Sequence, residues 1–342
     1  MRHNNLIKSI CLLRLSSLGD ITHMLPIVNT LRSRSPMLDI TWIINKTEYE
    51  LVKNMPNIDF IVVDKSKMLK SIIRLLKLRS QHKFDVLLHM QISLRANILS
   101  LLINCSRKIG FNKNFSKDFH SLLNHETIQC SNKIHVLESF FCFLDQLGIK
   151  EKLLDWTIPL DTDQEFTYLY ESQYIIINPF TSNRRLNYRE WDLKNYKFIS
   201  KYVFSNYNLK TVIVGGKSNY EVEKSKIFDE SHIINLVGKT NLHQLCNIIK
   251  KCKFYIGPDS GTLHIASMMG KHVIGLYVTS NPDRTGPFNN MNHIINKYPL
   301  ALMKYKNKEI SNAKWGERIR EKDAMSLITI DEVSEMIDRI MN

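Results

Sequence analysis

The chain of 342 residues lacks long apolar runs: no window approaches the ~18 consecutive apolar residues of a membrane span, so a spanning segment is not expected. Arg2 and Lys8 begin the chain as a secretion signal might, but Arg14 interrupts the run from Ile10 to Leu15 before it could serve as one. Low-complexity tracts are missing too, and a hydrophobic share of 44% implies that the whole chain folds. The six cysteines (Cys11, Cys105, Cys130, Cys142, Cys246, Cys252) show no CxxC pair and lie mostly in apolar segments, as small core residues of a reducing compartment do. No HExxH, metal-spaced His/Cys set, Walker loop or Gly-x-Ser-x-Gly elbow occurs, so nothing calls for a metal or a cofactor. These absences leave a soluble cytoplasmic protein as the expectation.

What is present in excess is positive charge. With 47 Lys and Arg against 33 Asp and Glu, the net charge of +14 points to anionic partners: nucleic acid, phospholipid head groups or nucleotides. Seven cations fall between Lys65 and Lys83, with Lys67, Lys70, Arg74 and Lys77 on one side of a helical period and Leu69, Ile72, Ile73 and Leu76 on another. Packing of that apolar stripe on its own domain is the favoured reading, and contact with an anionic membrane is an additional role for the exposed face. No RNA or DNA module and no aromatic interleaving accompanies the cations, which makes a nucleic-acid partner the weaker alternative.

The length suggests about two domains of ~150 residues. Apolar runs of strand length alternate with helical segments from Ile10 to Ile103, then again from Tyr174 to Leu276. That alternation predicts two doubly wound parallel sheets of Rossmann type. An acidic stretch containing Pro159 reads as the connection. The expected boundaries are 1–155, a linker 156–172, a second domain 173–328 and a closing helix 329–342, whose Thr329 and Glu332 form a capping-box start.

Three segments carry chemistry. Phe254-Tyr255-Ile256-Gly257-Pro258-Asp259-Ser260-Gly261-Thr262-Leu263-His264 runs from a strand through a turn into a helix, where free amides and the helix dipole favour an anion. Ser260, Thr262 and His264 add donors; a helix capped by Asp259 with no ligand is the competing reading. Near the front, Arg14-Leu15-Ser16-Ser17-Leu18-Gly19-Asp20 repeats the strand, turn and helix start, with Asp20 placed to accept a proton from a hydroxyl or simply to cap. After the strand ending near Ile177 come Thr181 and Ser182, with Arg184, Arg185 and Arg189 before Trp191, a set suited to a diphosphate leaving group or to a solvated loop.

Taken together, Leu13 to Ile21 and Gly257 to His264 resemble glycosyltransferase family 9, the lipopolysaccharide heptosyltransferases. Stretches at Trp42 to Glu48, Leu87 to Gln91, Ile109 to Phe111 and Lys314 to Arg318 are similar to the heptosyltransferase I branch, so the likeness spans nearly the whole chain. The resemblance implies a GT-B enzyme, two Rossmann-like domains facing across a cleft. It further implies inverting, metal-independent transfer of heptose from ADP-heptose, a substrate rather than a cofactor, to Kdo on the lipid A inner core. A related acceptor, a later core heptose or a protein hydroxyl, is the alternative.

By resemblance Asp20 is the general base, and Thr181, Ser182, Asp259, Ser260, Gly261, Thr262 and His264 bind the donor together with Arg184 or Arg189. The stretch Asn183 to Tyr188 looks longer than the family pattern, and Asp192 stands where Pro often follows the Trp, so Arg184, Arg185 and Arg189 remain alternatives for the leaving phosphate. Arg14, Ser17, Gly19, Lys46 and Arg95 are the implied acceptor-binding set. The basic helix around Arg74 fits a peripheral enzyme whose acceptor lies in the cytoplasmic leaflet of the inner membrane.

Overall fold

Strands rich in Ile, Val and Leu and buried on both faces can only be covered by helices on each side, which is how both halves of this chain are built. A computed structural model describes residues 7–116, 120–182 and 185–342, so Arg2 and Arg184 lie outside the described residues. The chain divides into two compact units, residues 1–159 and 160–342.

In the first unit β1 (Ser9–Leu13), α1 (Leu18–Arg34), β2 (Asp39–Asn45), α2 (Lys46–Val52), β3 (Asp59–Val63), α3 (Met68–Gln81), β4 (Phe84–His89), α4 (Leu94–Leu101), β5 (Cys105–Gly110), β6 (Glu126–Thr127) and α5 (Val136–Asp145) follow in order. The sheet reads β3-β2-β1-β4-β5-β6, parallel throughout. Chain direction across the sheet therefore reverses between β1 and β4, where Leu13 lies opposite His89. In such sheets the ends of the strands at the reversal leave a crevice for ligands.

The second unit contains β7 (Tyr174–Ile177), α6 (Leu193–Tyr207), β8 (Lys210–Ile213), α7 (Asn219–Ser225), β9 (Ile233–Asn235), α8 (Leu242–Lys251), β10 (Phe254–Pro258), α9 (Gly261–Met268), β11 (His272–Tyr277), α10 (Pro282–Thr285), β12 (Ile294–Asn296), α11 (Tyr298–Lys306) and α12 (Ile330–Met341). Its order, β12-β11-β10-β7-β8-β9, is the same pattern, with the reversal between β7 and β10. The closing helix begins with the expected capping box and buries Val333 and Ile337 in this unit's core, where Trp191 Nε1 also donates to the Ile328 carbonyl.

Three sequence expectations change. The stretch expected as a linker is largely part of the second unit: the Asp161 amide donates to His243, Asn247 donates to the Asp161 carbonyl, and Phe166 and Leu169 are buried. Two of its acidic side chains reach α8, Asp161 to His243 and Glu165 to Gln244, partners that no local period can show. β5 was not legible either, because its Arg107 makes a bidentate pair with Glu126 of β6 and its Lys108 donates to the Ser100 carbonyl, partners that a local pattern cannot show.

The stripe on α3 is the third. Met68, Ile72, Leu75 and Leu78 pack on the sheet core, while Leu69, Ile73 and Leu76 stand in solvent. Among the described residues no helix is long and apolar enough to cross a membrane.

Candidate active site

Each sheet reversal carries one cluster. In the first unit the turn after β1 is held by β4: Gln91 Oε1 accepts from the amides of Leu15 and Ser16 at 3.2 Å, and Arg14 donates to the Met90 carbonyl. Trp42 Nε1 donates to the Arg14 carbonyl at 3.1 Å, and the Arg14 guanidinium lies 5.0 Å from the centre of the Phe140 ring. So fixed, Arg14 Nη2 meets Asp20 Oδ2 at 2.6 Å. Asp20 is the third residue of α1, and the same Oδ2 accepts from the Ser17 amide at 2.9 Å and from Ser17 Oγ at 2.8 Å.

Asp20 therefore closes a capping box with Ser17, the reading that the sequence set against proton acceptance, and adds an ion pair that the sequence did not show. Among the described residues nothing donates to Oδ1, and the side chain remains 25% exposed. Burial would raise this carboxyl, but the Arg14 charge and the two Ser17 bonds outweigh it and hold the group at about 2. It is ionised under all ordinary conditions.

Of the acceptor set, Arg14, Ser17 and Gly19 lie in or beside this cluster, Gly19 buried inside the first turn. Lys46, at the start of α2, is exposed and pairs with Asp64 at 3.8 Å, while half-buried Arg95 sits in the first turn of α4. Both follow strands whose carboxyl ends share the edge of Asp20, but neither contacts it.

The second cluster surrounds Asp259. Ser260, not Asp259, caps α9, its Oγ accepting from the Leu263 amide, which leaves the first-turn amides of Gly261 and Thr262 without helical partners. Gly257 is required beneath them, since a Cβ there would come 2.8 Å from the Asn178 carbonyl on the neighbouring strand. Asp259 is buried instead, its Oδ2 accepting from Ser280 Oγ at 2.7 Å and from Arg189 Nη1 at 3.1 Å; Arg189 Nη1 also donates to the Asp259 carbonyl at 2.6 Å. His264, also buried, places Nε2 3.7 Å from Asp259 Oδ1. Burial works against ionisation of Asp259, yet His264, Arg189 and Ser280 together keep its carboxyl far below the usual range.

Of the three candidate arginines, Arg184 lies outside the described residues, and Arg185 and Arg189 differ in position. Arg185 is exposed on a turn, whereas Arg189 reaches Asp259 in the turn before α9, its Nε donating to Asn187 Oδ1 at 2.6 Å. Asn187 in turn donates to Thr181 Oγ1 at 3.1 Å and to the Ser182 carbonyl at 2.7 Å. Thr181 is buried and engaged with Glu190, which accepts its amide at 2.8 Å; Ser182 is exposed. Two edges of the Arg189 guanidinium are thus pinned, and Nη2 has no partner among the described residues.

Sequence reasoning missed several neighbours. Ser280 ends a third strand-to-turn passage, after β11, and Gln91 was visible only as part of a resembling stretch. Arg318 ends another such stretch, Lys314 to Arg318. Partial desolvation lowers its pKa; attraction to Asp259 opposes that, and repulsion from Arg189, Arg284 and Arg320 adds to it, so Arg318 lies within electrostatic reach of Asp259 and of three other guanidiniums. The strap that carries Arg318 is held at the end of β11 by the Ile319 amide, which donates to the Thr279 carbonyl at 3.0 Å. Distant sequence positions meeting at one strand edge leave no local signal. No group of three or more His, Cys, Asp or Glu among the described residues has the geometry to hold a metal ion.

Comparison with known proteins bears on the family and the fold. The sequence model of glycosyltransferase family 9 (heptosyltransferase) matches residues 72–315. The lipopolysaccharide core heptosyltransferase OpsX of Haemophilus influenzae is 33% identical over 336 residues, 95% of each chain, and lipopolysaccharide heptosyltransferase 1 of Campylobacter coli is 22% identical over 93% of this chain and 97% of its own. Among solved structures, a family 9 glycosyltransferase of Veillonella parvula superposes with a TM-score of 0.77 at 22% identity, covering 98% of this chain and 97% of its own. The Escherichia coli heptosyltransferase WaaC with ADP gives 0.74 at 15% identity, with coverage of 97% and 99%. At these identities the structures show the shared GT-B fold, and the sequence matches decide kinship: the chain belongs to glycosyltransferase family 9, the heptosyltransferases.

Proposed function

We propose that this enzyme transfers heptose from ADP-heptose to a Kdo residue of the lipid A inner core, with inversion at the anomeric carbon and without a metal ion, on the cytoplasmic side of the inner membrane. The observation that carries the reading is the paired design of the clusters: Asp20 and Arg189 are each pinned along one side and leave a single reactive edge, Oδ1 in one and Nη2 in the other. One edge accepts a proton; the other donates to an anion.

In this mechanism a Kdo hydroxyl attacks the anomeric carbon from the face opposite the diphosphate, its proton passes to Asp20 Oδ1, and the bond from carbon to the phosphate oxygen breaks. ADP leaves with its charge held by Arg189 and by the amides of Gly261 and Thr262, aided by the dipole of α9. A carboxylate near 2 is a weak base, but it suffices when proton transfer is late, because the hydroxyl becomes acidic only as its new bond forms. Asp259, His264 and Thr181 act through position, since their polar atoms face Arg189 and its neighbours. The donor is supported by the names of relatives and by the ADP in the WaaC structure.

The test is ADP release by the purified protein with ADP-heptose and lipid A acceptors carrying or lacking Kdo. Release only with Kdo is the expected outcome. Equal turnover on an acceptor without Kdo, or a thermal shift with other nucleoside diphosphates and none with ADP, would contradict the assignment.

A further inference from the structure

A soluble domain needs an apolar face on a covering helix only toward its sheet, yet α3 is apolar on two sides. Met68, Ile72, Leu75 and Leu78 recur at helical spacing and pack on the first unit's core. Leu69, Ile73 and Leu76 recur at the same spacing one step round the helix and are 78%, 66% and 47% exposed. The neighbouring helix repeats the arrangement. Ala96 and Leu99 of α4 face the core, whereas Leu94, Ile98 and Leu101 are each at least half exposed. Arg79 donates to the Leu101 carbonyl, so the two outward rows are joined at the ends of their helices.

The charge around this surface has one sign. Lys65, Lys67, Lys70, Arg74, Lys77, Arg79 and Lys83 are all exposed, and no Asp or Glu occurs between Lys65 and Lys83. Contiguous exposed apolar surface on a monomer marks a contact site. Nucleic acid would use the cations and leave Leu69, Ile73 and Leu76 in water. A bilayer bearing acidic lipids satisfies both, since basic side chains meet head-group phosphates while an apolar row enters the boundary with the acyl chains.

We propose that the outer face of α3 and α4 docks the enzyme on an anionic lipid surface, with Leu69, Ile73 and Leu76 inserted and Lys70, Arg74 and Lys77 against lipid phosphates. Its purpose rests on the transfer reading above, because a lipid-borne acceptor must be met at the membrane; its physical basis does not. The outward rows belong to the surface of the first unit, and none of their residues belongs to the Asp20 cluster.

Co-sedimentation of the full chain with vesicles free of any saccharide tests it. The wild type is expected to pellet with phosphatidylglycerol-containing vesicles, not with pure phosphatidylcholine, and to be released by salt. The triple variant L69S/I73S/L76S should lose at least about tenfold in partitioning, and K70E/R74E/K77E on the order of 100-fold. Both should keep the wild-type circular dichroism and thermal shift with ADP. A wild type that stays in the supernatant, whatever acidic protein or RNA it binds instead, overturns the proposal, as does undiminished partitioning by either variant. Vesicle binding without transfer to any Kdo acceptor would sink the functional assignment and leave the docking face standing.

Discussion

Arg14 Nη2 and Asp20 Oδ2 meet at 2.6 Å, so the proposed base of this transferase is held by a cation six residues before it in the chain. The pair explains how a carboxylate that is three-quarters buried stays ionised, and it fixes which oxygen is open. Replacing Asp20 by Ala should lower ADP release with a Kdo acceptor on the order of 1000-fold, with calorimetric affinity for ADP unchanged. Near-normal turnover would remove Asp20 from the mechanism.

Arg14 itself sets a pH dependence. Its charge, together with the two Ser17 bonds, holds the Asp20 carboxyl at about 2 against an ordinary 3.8, so the base form persists in acid. In Arg14→Met one lowering influence is lost while burial still raises the group, so the carboxyl rises. The acid limb of the rate profile should move to higher pH, while the wild type shows no such limb in the range where the protein is folded; superimposable profiles would refute the coupling.

At the second cluster, Arg189→Ala removes the guanidinium with the open Nη2 and should weaken ADP roughly 10- to 100-fold in calorimetry. His264→Ala should weaken it less, because Nε2 faces Asp259 at 3.7 Å and acts on the site by holding that carboxylate. An unaltered ADP affinity in Arg189→Ala would return the role to Arg184 or Arg185.

Asp259 makes a different prediction, since removing it strands a partly buried Arg189 and the hydroxyl of Ser280. Asp259→Ala should destabilise the second unit by about 3 kcal/mol, the cost typical of breaking one partner out of a buried pair. Gly257→Ala should also be destabilising, because the added carbon meets a backbone carbonyl 2.8 Å away that cannot move without the sheet. Differential scanning calorimetry of the two variants checks both; a melting temperature equal to wild type would show that the turn tolerates rearrangement.

Acid stability follows from depressed carboxyls in both units. Asp20 and Glu317, the latter bonded to the Lys314 amide and to Lys306 and Lys308, each lie at about 2 against ordinary values of 3.8 and 4.5. Their folded forms release protons more readily than the unfolded chain, so their contribution is fully present above those ordinary values and vanishes as the pH falls toward 2. Melting temperature should be flat from pH 7 to about 5 and fall below it, and Glu317→Gln should flatten the fall. A steeper loss in that variant would reverse the sign.

Much of this was legible because it is local. Alternating apolar runs fix two parallel sheets, a Gly-containing turn between strand and helix exposes amides at Gly261 and Thr262, and Thr329 with Glu332 announces the last helix. Asp20 and Asp259 stood out for the same reason, each at a helix mouth after a buried strand. What the chain pattern could not contain was the partner of each group. Only the folded sheet brings Gln91 and Met90 against the turn at Arg14, lays Arg189 on the Asp259 carbonyl in preference to Arg185, and makes Ser260 the cap so that Asp259 can be an ion-pair hub. Tertiary packing also decided that α3 turns Met68, Ile72, Leu75 and Leu78 inward and leaves Leu69, Ile73 and Leu76 outside, because a helix with two apolar sides has a period that fits either and only the sheet beneath it selects one.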